Sequence, residues 1–133
     1  LVAMRFEVMT AEYDKNGNVL VKGSYAEGER EGKWKISTGD HTETGRYSDG
    51  KKTGLWKHYY ENGTLRYEGK FVRGEPNGKH KYYFPNGRLW KEQFYRTGRR
   101  IKNWREYNEL GEQVLVLSYL NDKLVKINGK KLK

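Results

Sequence analysis

Residues 65–71, LRYEGKF, alternate between apolar or small positions and charged positions. A period of two places the first set on one face of a β-strand and the second set on the other. The preceding residues 56–60, WKHYY, are rich in aromatic side chains, which also favours a strand. Between the two runs stands Asn62-Gly63, a pair that tolerates positive φ and strongly indicates a β-hairpin. Glycine recurs too often along the chain for long helices.

The hairpin pattern recurs along the chain, because glycines mark it at successive steps of 22, 24, 24 and 24 residues. These turn glycines are Gly17, Gly39, Gly63, Gly87 and Gly111. Residues at other equivalent positions of the repeat keep the same spacing, and we call each such set a column. The columns are Gly23, Gly45, Gly69 and Gln93; Tyr25, Tyr47, Phe71, Tyr95 and Tyr119; Gly28, Gly50, Gly74 and Gly98; and Trp34, Trp56, His80 and Trp104. Such periodicity predicts an all-β protein, an elongated antiparallel single-layer sheet of about five tandem β-hairpins.

One glycine column has a predictable packing role. A glycine at a fixed strand position, as at Gly23, Gly45 and Gly69, leaves a gap in the side-chain layer. We expect the column tryptophan or a neighbouring tyrosine to cover each gap. Gln93 and Leu117 fill the same column later in the chain, so the last two units should pack differently from the first three.

The repeat phase predicts a single domain over 1–133. It divides into an N-terminal cap strand, five units, and a basic C-terminal tail, at 1–12, 13–33, 34–55, 56–79, 80–103, 104–122 and 123–133. Residues 113–117, QVLVL, are apolar at positions of both parities and are predicted to be sandwiched between two layers. Asn128-Gly129 predicts a turn that folds the tail back over this strand or presents it to a partner.

The segment 54–89, GLWKHYYENGTLRYEGKFVRGEPNGKHKYYFPNGRL, resembles the MORN-repeat superfamily. Within the superfamily it is most similar to the bacterial MORN-variant repeat, some proteins of which are of antitoxin type. The resemblance extends over roughly residues 13–122, with a degenerate second unit. It implies an elongated sheet of successive hairpins that serves as a binding or assembly surface.

The charge of the chain narrows the class of partner. The net charge is +10, but residues 1–50 hold seven Lys/Arg and nine Asp/Glu, whereas residues 51–133 hold twenty and eight. A positive field over the later part favours a protein with an acidic surface. Anionic lipid is the next alternative, nucleic acid is disfavoured, and strand-edge pairing or a homo-oligomer stays open. The same charge would also serve solubility alone.

Two sets of residues are the candidate partner-binding positions. The first is an aromatic column, Tyr59, Tyr83 and Tyr107, whose members would alternatively pack against neighbouring rings. The second is the densest basic cluster, which is predicted to replace the usual turn between units; its members are Arg96, Arg99, Arg100, Lys102 and Arg105.

Residues that carry catalysis are not recognisable in this chain. Cysteine is absent. The histidines His41, His58 and His80 stand in different columns, so no metal ligand set, cofactor or catalytic residue is predicted. Glu68 and Glu92 share a column and are expected to face Lys or Arg across the sheet.

The sequence therefore predicts a non-enzymatic interaction or scaffold module within a bacterial envelope or secretion assembly. An antitoxin-like inhibitor that masks a partner protein is the first alternative, and binding to an anionic membrane surface is the second. The compartment is left open, with the bacterial envelope, periplasmic or associated with the outer membrane, favoured over the cytoplasm.

Overall fold

The computed structural model describes residues 7–133, which form one open antiparallel sheet of 13 strands. Neighbouring strands follow in sequence order, except that the two-residue β9 pairs with β8 beside β10. The strands are β1 Glu7–Tyr13, β2 Val19–Ala26, β3 Glu29–Ser37, β4 His41–Ser48, β5 Lys51–Tyr60, β6 Leu65–Val72, β7 Glu75–Tyr83, β8 Leu89–Arg96, β9 Arg99–Arg100, β10 Lys102–Tyr107, β11 Gln113–Leu120, β12 Lys123–Ile127 and β13 Lys130–Lys131. The predicted all-β sheet of tandem hairpins is confirmed.

The predicted cap strand at 1–12 is described only in part. Residues 1–6 lie outside the described residues, whereas Glu7–Tyr13 forms β1 and pairs antiparallel with β2.

Two kinds of turn alternate along the sheet. Two-residue turns with positive φ at both positions, such as Arg73-Gly74, have the type I′ twist that suits a hairpin. The turn at Asn62-Gly63 is longer: the Tyr60 N–H donates to the Thr64 carbonyl at 2.8 Å, and of the pair only Gly63 has positive φ. The predicted hairpin is confirmed, but Asn62 acts through its side chain, whose Oδ1 accepts the Thr64 N–H at 3.1 Å.

Aromatic rings form a continuous row across one face of the sheet, which we call the ring face. Its members are Tyr25, Trp34, Tyr47, Trp56, Phe71, His80, Tyr95, Trp104 and Tyr119. Most successive rings lie with their centroids 4.8–6.0 Å apart, mainly edge to face. Trp34 and Trp56 are buried with Tyr47 between them. A single-layer sheet thus obtains its core from rings that stand on its own surface.

The gap glycines lie directly beneath these rings, as predicted. A Cβ added to Gly23 would lie 2.1 Å from Cδ2 of Trp34, and one added to Gly45 would lie 2.1 Å from the same atom of Trp56. At Gly69 the ring of His80 takes the tryptophan's place, and its Nδ1 would lie 2.2 Å from an added Cβ. No side chain larger than hydrogen fits under these rings.

The ring nitrogen is bonded in the same way at all four positions of the tryptophan column. The indole N–H of Trp34, Trp56 and Trp104 donates to a carbonyl of the preceding strand at 3.0–3.1 Å. His80 Nε2 makes the equivalent bond to the Lys70 carbonyl at 2.9 Å. His80 is therefore a ring that replaces a ring, as its column predicts.

The later units pack more loosely. Trp104, in the unit where Gln93 replaces the gap glycine, is only partly buried, whereas Trp34 and Trp56 are buried. The change that the column substitution predicts is thus present at Trp104.

The prediction that residues 113–117 are sandwiched between layers is wrong. They lie in β11, which is paired at both edges by β10 and β12 but, within residues 7–133, is covered by no second sheet. Val114 remains 53% exposed.

The C-terminal tail extends the sheet beside β11 and does not fold over it. Strand β12 pairs with β11, and the predicted turn at Asn128-Gly129, with φ of 50° and 80°, leads to the short β13. A two-residue edge made of lysines discourages pairing with another chain.

Candidate functional site

The face opposite the rings carries a column of cations, and we call it the lysine face. The column is Lys35, Lys57, Lys81 and Arg105, each one residue after a ring-column position. Because side chains alternate along a strand, each cation points away from the ring that precedes it.

The residues that face these cations across the sheet form a neighbouring column, Lys22, Thr44, Glu68 and Glu92, and they differ between the earlier and later units. In the later units Glu68 lies opposite Lys57 and Lys81, and Glu92 lies opposite Lys81 and Arg105. The predicted cross-strand pairing of the two glutamates with Lys or Arg is confirmed. In the earlier units the same column holds Lys22 and Thr44, so no carboxylate faces Lys35 from that column.

Cations of the first units line a groove of about 720 Å³ on the lysine face; among residues 7–133, Lys57 is the one of them that has a glutamate, Glu68, opposite it. We call it the basic groove. Its five cationic lining residues are Lys22, Lys33, Lys35, Arg46 and Lys57. Of the described residues that line it, one, Glu7, is acidic. Two apolar side chains, Met9 and Leu55, also line it and are 68% and 54% exposed.

Like charges oppose one another within the basic groove. Lys22 lies opposite Lys35, and Lys33 lies opposite Arg46. Such pairs destabilise a sheet by roughly 0.2–1 kcal/mol each. Within residues 7–133 none of the five cations takes part in an ion pair. A bound anionic group would remove this repulsion.

The candidate tyrosines lie at equivalent strand ends and are half-buried. Among residues 7–133 no ring pair includes Tyr59, Tyr83 or Tyr107, so the alternative of ring packing is not what holds them. The Tyr83 hydroxyl donates to Glu68 Oε1 at 2.8 Å. Burial, followed by this bond, raises the pKa of Tyr83 to about 12.

The candidate basic cluster does not form one free patch. Thr97-Gly98 keeps the ordinary two-residue turn, with φ of 44° and 83°, so the cluster does not replace that turn as predicted. Arg100 Nε lies 2.7 Å from Asp122 Oδ1, and its guanidinium lies 4.7 Å from the Tyr119 ring centroid. The Asp122 hydrogen bond raises the pKa of Arg100.

The remaining cations of this cluster have separate surroundings. Arg96 and Arg99 are opposite each other beside the turn. Lys102 Nζ lies 5.4 Å from the Phe94 ring centroid, while Arg105 faces Glu92.

The three histidines occupy two different environments. His80 is 2% exposed, and burial lowers its pKa. Its Nδ1 lies 2.5 Å from the Tyr67 hydroxyl, which donates to it while Nε2–H donates to Lys70. His41 and His58, although they stand in different columns, meet across β4 and β5 beside Glu43, with ring centroids 5.1 Å apart.

Sequence reasoning missed both the basic groove and this histidine pair. The groove could have been found from the columns, because Lys22 and Thr44 replace the glutamate of later units. The histidine pair depends on strand register, which the columns do not give.

Among residues 7–133 there is no helix of the length and apolar character that crossing a membrane requires.

The comparisons agree with the architecture. Residues 52–73 and 76–97 match the family described as MORN repeat variant, and these are two adjacent repeats. Repeats of this family are a non-catalytic type, generally found in scaffold modules that bind proteins or membranes. No curated protein matches the chain.

Proposed function

We propose that this MORN-repeat protein is a non-enzymatic interaction module that binds an acidic protein surface through the basic groove. The observation that carries the proposal is the set of five cations that share one groove without ion-pair partners among residues 7–133. Opposed like charges reduce the stability of the free protein, so their presence is better explained by a partner than by folding.

The shape and composition of the groove favour a protein over a lipid bilayer. A concave surface accommodates a loop, a strand or a ridge, whereas a flat bilayer would touch only its rim. Met9 and Leu55 are exposed among the cations, so a fitting segment would combine carboxylates with apolar side chains. Anionic membrane binding is the competing proposal, and nucleic acid is a weaker one.

A scaffold and an antitoxin-like inhibitor would use this same groove. We favour a scaffold within a bacterial envelope or secretion assembly, which rests on the family resemblance. A partner whose activity disappears when it is bound would favour masking, and one that stays active would favour the scaffold. A neighbouring gene for a small toxin would likewise favour masking, whereas secretion or envelope genes would favour the scaffold.

Binding to defined probes tests the class of partner. Fluorescence anisotropy would measure the binding of a labelled glutamate-rich peptide that carries a few leucines, with a lysine-rich peptide as the control. Flotation with phosphatidylcholine vesicles, with and without phosphatidylglycerol, and a gel shift with a single-stranded oligonucleotide would run beside it. We expect saturable binding of the acidic peptide that weakens with salt, because surface charges are screened over about 10 Å at 0.1 M ionic strength.

The contrary results are equally definite. Flotation with phosphatidylglycerol vesicles and no peptide binding would replace the proposal with a membrane-surface role. A shifted oligonucleotide with a steep salt dependence and no peptide binding would indicate nucleic acid. No binding of any acidic probe at low salt would overturn the role of the groove.

A further inference from the structure

Three potential metal ligands converge on the ring face between β4 and β5. His41 and Glu43 are two residues apart on β4 and so point to the same side. His58, on β5, is the register partner of Glu43. His41 Nε2 lies 2.8 Å from Glu43 Oε2, and His58 Nε2 lies 3.5 Å from Glu43 Oε1. All three side chains are 18–24% exposed, so water and ions reach them from the surface.

The separations suit one shared ion. The ligand atoms all lie within 4.8 Å of one another. A tetrahedral ion with bonds of about 2.0–2.1 Å holds its ligand atoms roughly 3.4 Å apart. Rotation of the three side chains alone would bring the ligand atoms from within 4.8 Å of one another to the roughly 3.4 Å that the ion requires.

The contact between His41 and Glu43 already calls for a positive charge between them. A bare imidazole nitrogen and a carboxylate oxygen each present a lone pair, and two lone pairs repel at the observed distance. Either a proton or a metal ion must lie between these atoms. A metal ion would replace the proton without moving the strands.

The far side of the His41 ring is held in the manner of a metal-bound histidine. His41 Nδ1 lies 2.6 Å from Asp40 Oδ1 and 2.9 Å from Thr38 Oγ1. A carboxylate that accepts the Nδ1–H fixes the tautomer and directs the Nε2 lone pair to the opposite side. On that side lies Glu43. The ring of His58 is likewise positioned by Tyr67, with centroids 4.6 Å apart.

We propose that His41, Glu43 and His58 bind a divalent transition-metal ion of the zinc type. Two imidazoles and one carboxylate suit Zn²⁺, and also Cu²⁺ or Ni²⁺, better than Mg²⁺ or Ca²⁺, which prefer oxygen ligands. Water would occupy the remaining position. The ion would tie β4 to β5, the hairpin that forms one wall of the basic groove on the opposite face.

The neighbouring cation Lys52 opposes the ion and provides a distinctive test. Lys52 Nζ lies 3.9 Å from Glu43 Oε1. The same ammonium lies 4.7 Å from the Trp56 ring centroid, so it has a second attractive partner. Replacement of Lys52 by methionine keeps the apolar contact and removes the charge.

Isothermal titration with zinc chloride, on the full chain without a histidine tag, tests the proposal. We expect one site per chain, with His58→Gln and Glu43→Gln each weakening it by more than about tenfold. Asp40→Asn, which alters a positioning residue, should weaken it by roughly 10-fold, at the lower end of the range for such partners. Lys52→Met should tighten it by at least roughly fivefold, the effect of one unit charge on another at about 4 Å in water, because the ion is divalent. Glu68→Gln, on the lysine face, is the matched control and should change nothing.

Cobalt(II) gives a second readout that does not depend on affinity. A tetrahedral complex at this site should show intense visible absorption, which His41→Gln should abolish while intrinsic tryptophan fluorescence reports an intact fold. The proposal is overturned by three results: no saturable zinc binding, a site that persists undiminished in the His58→Gln and Glu43→Gln variants, or equal losses in the Glu68→Gln control.

Discussion

Replacement of Gly45 by alanine should destabilise the protein far more than alanine at a glycine with open space around its Cβ position. The added methyl would lie 2.1 Å from Cδ2 and 2.3 Å from Cε2 of Trp56, where a normal contact is at least about 3.4 Å. The ring cannot easily yield, because Trp56 is 0% exposed and Tyr47 lies 5.0 Å away between centroids. Its indole N–H is also bonded to the Arg46 carbonyl at 3.0 Å.

The loss of stability expected from Gly45→Ala lies between two limits. Overpacking of a filled core costs about 1–3 kcal/mol. Complete expulsion of the ring would expose about 150–250 Å², worth roughly 4–6 kcal/mol at about 25 cal/mol per Å². We therefore expect a loss of about 3–5 kcal/mol in the free energy of unfolding. Gly54→Ala is the matched control: its φ is +71° and no atom lies within 4 Å of its Cβ position, so only about 1–2 kcal/mol of backbone strain applies.

Urea unfolding followed by tryptophan fluorescence would measure both variants. A double-mutant cycle with Trp56→Leu identifies the cause, because the smaller side chain leaves room for the methyl. In that background Gly45→Ala should cost less than about 1 kcal/mol. An equal cost in both backgrounds, or a cost no larger than that of Gly54→Ala, would refute the account of the ring and its glycine.

Three further predictions concern other contacts. Tyr67→Phe should destabilise by roughly 1–3 kcal/mol in urea unfolding, because it leaves His80 Nδ1 buried without a donor; Tyr82→Phe, which removes no side-chain hydrogen bond among residues 7–133, should be near neutral. Burial lowers the pKa of His80 in the folded protein below its ordinary 6.5, so the stability that neutral His80 contributes is complete above pH 6.5 and is lost as the pH falls towards its folded-state pKa. In His80→Gln, the free energy of unfolding should therefore decrease less steeply over this pH range. Lys102→Gly should stabilise the folded protein by about 0.5–1 kcal/mol in thermal unfolding. Lys102 has φ of +62° at a position that is glycine in other units, as at Gly32, Gly54 and Gly78. A lower melting temperature of the variant would contradict that reasoning.

The repeat columns are sufficient to predict the sheet and its core, because each column has one physical role. Trp34 over Gly23 and Trp56 over Gly45 follow from a gap and a ring at constant spacing. Such a pattern does not reveal whether a second layer covers the sheet. That is why the apolar run in β11 is wrongly predicted to be sandwiched.

The basic groove is missed because charge is summed along the chain and not across the sheet. Residues 1–50 contain more acids than bases. However, many of those acids lie in or beside turns, as Asp14 and Asp49 do, or on the ring face, as Glu43 does. The cations of the first units collect on the other face.

The meeting of Glu43 and His58 could not be predicted from spacing. The hairpin turn at Asp49-Gly50 pairs Arg46 with Thr53, and continuation of that register would place Trp56 opposite Glu43. A bulge at this point shifts the pairing by two residues, with Gly54 in positive φ, and brings His58 there instead.

Charge reversal at matched pairs of positions tests the central claim, that the basic groove is the binding surface. Lys22→Glu with Lys35→Glu reverses two opposed cations of the groove, whereas Lys81→Glu with Arg105→Glu makes the same change in net charge on the same face outside the groove, where Glu68 and Glu92 lie opposite these cations. A third variant reverses the charges of the predicted basic cluster at Arg96, Arg99, Arg100, Lys102 and Arg105. Fluorescence anisotropy would measure the affinity of all three variants for the acidic peptide. We predict that the groove variant loses at least about tenfold in affinity, or about 1.4 kcal/mol, while the column control stays within a few-fold; equal losses in both double variants, or a loss confined to the third, would contradict the account.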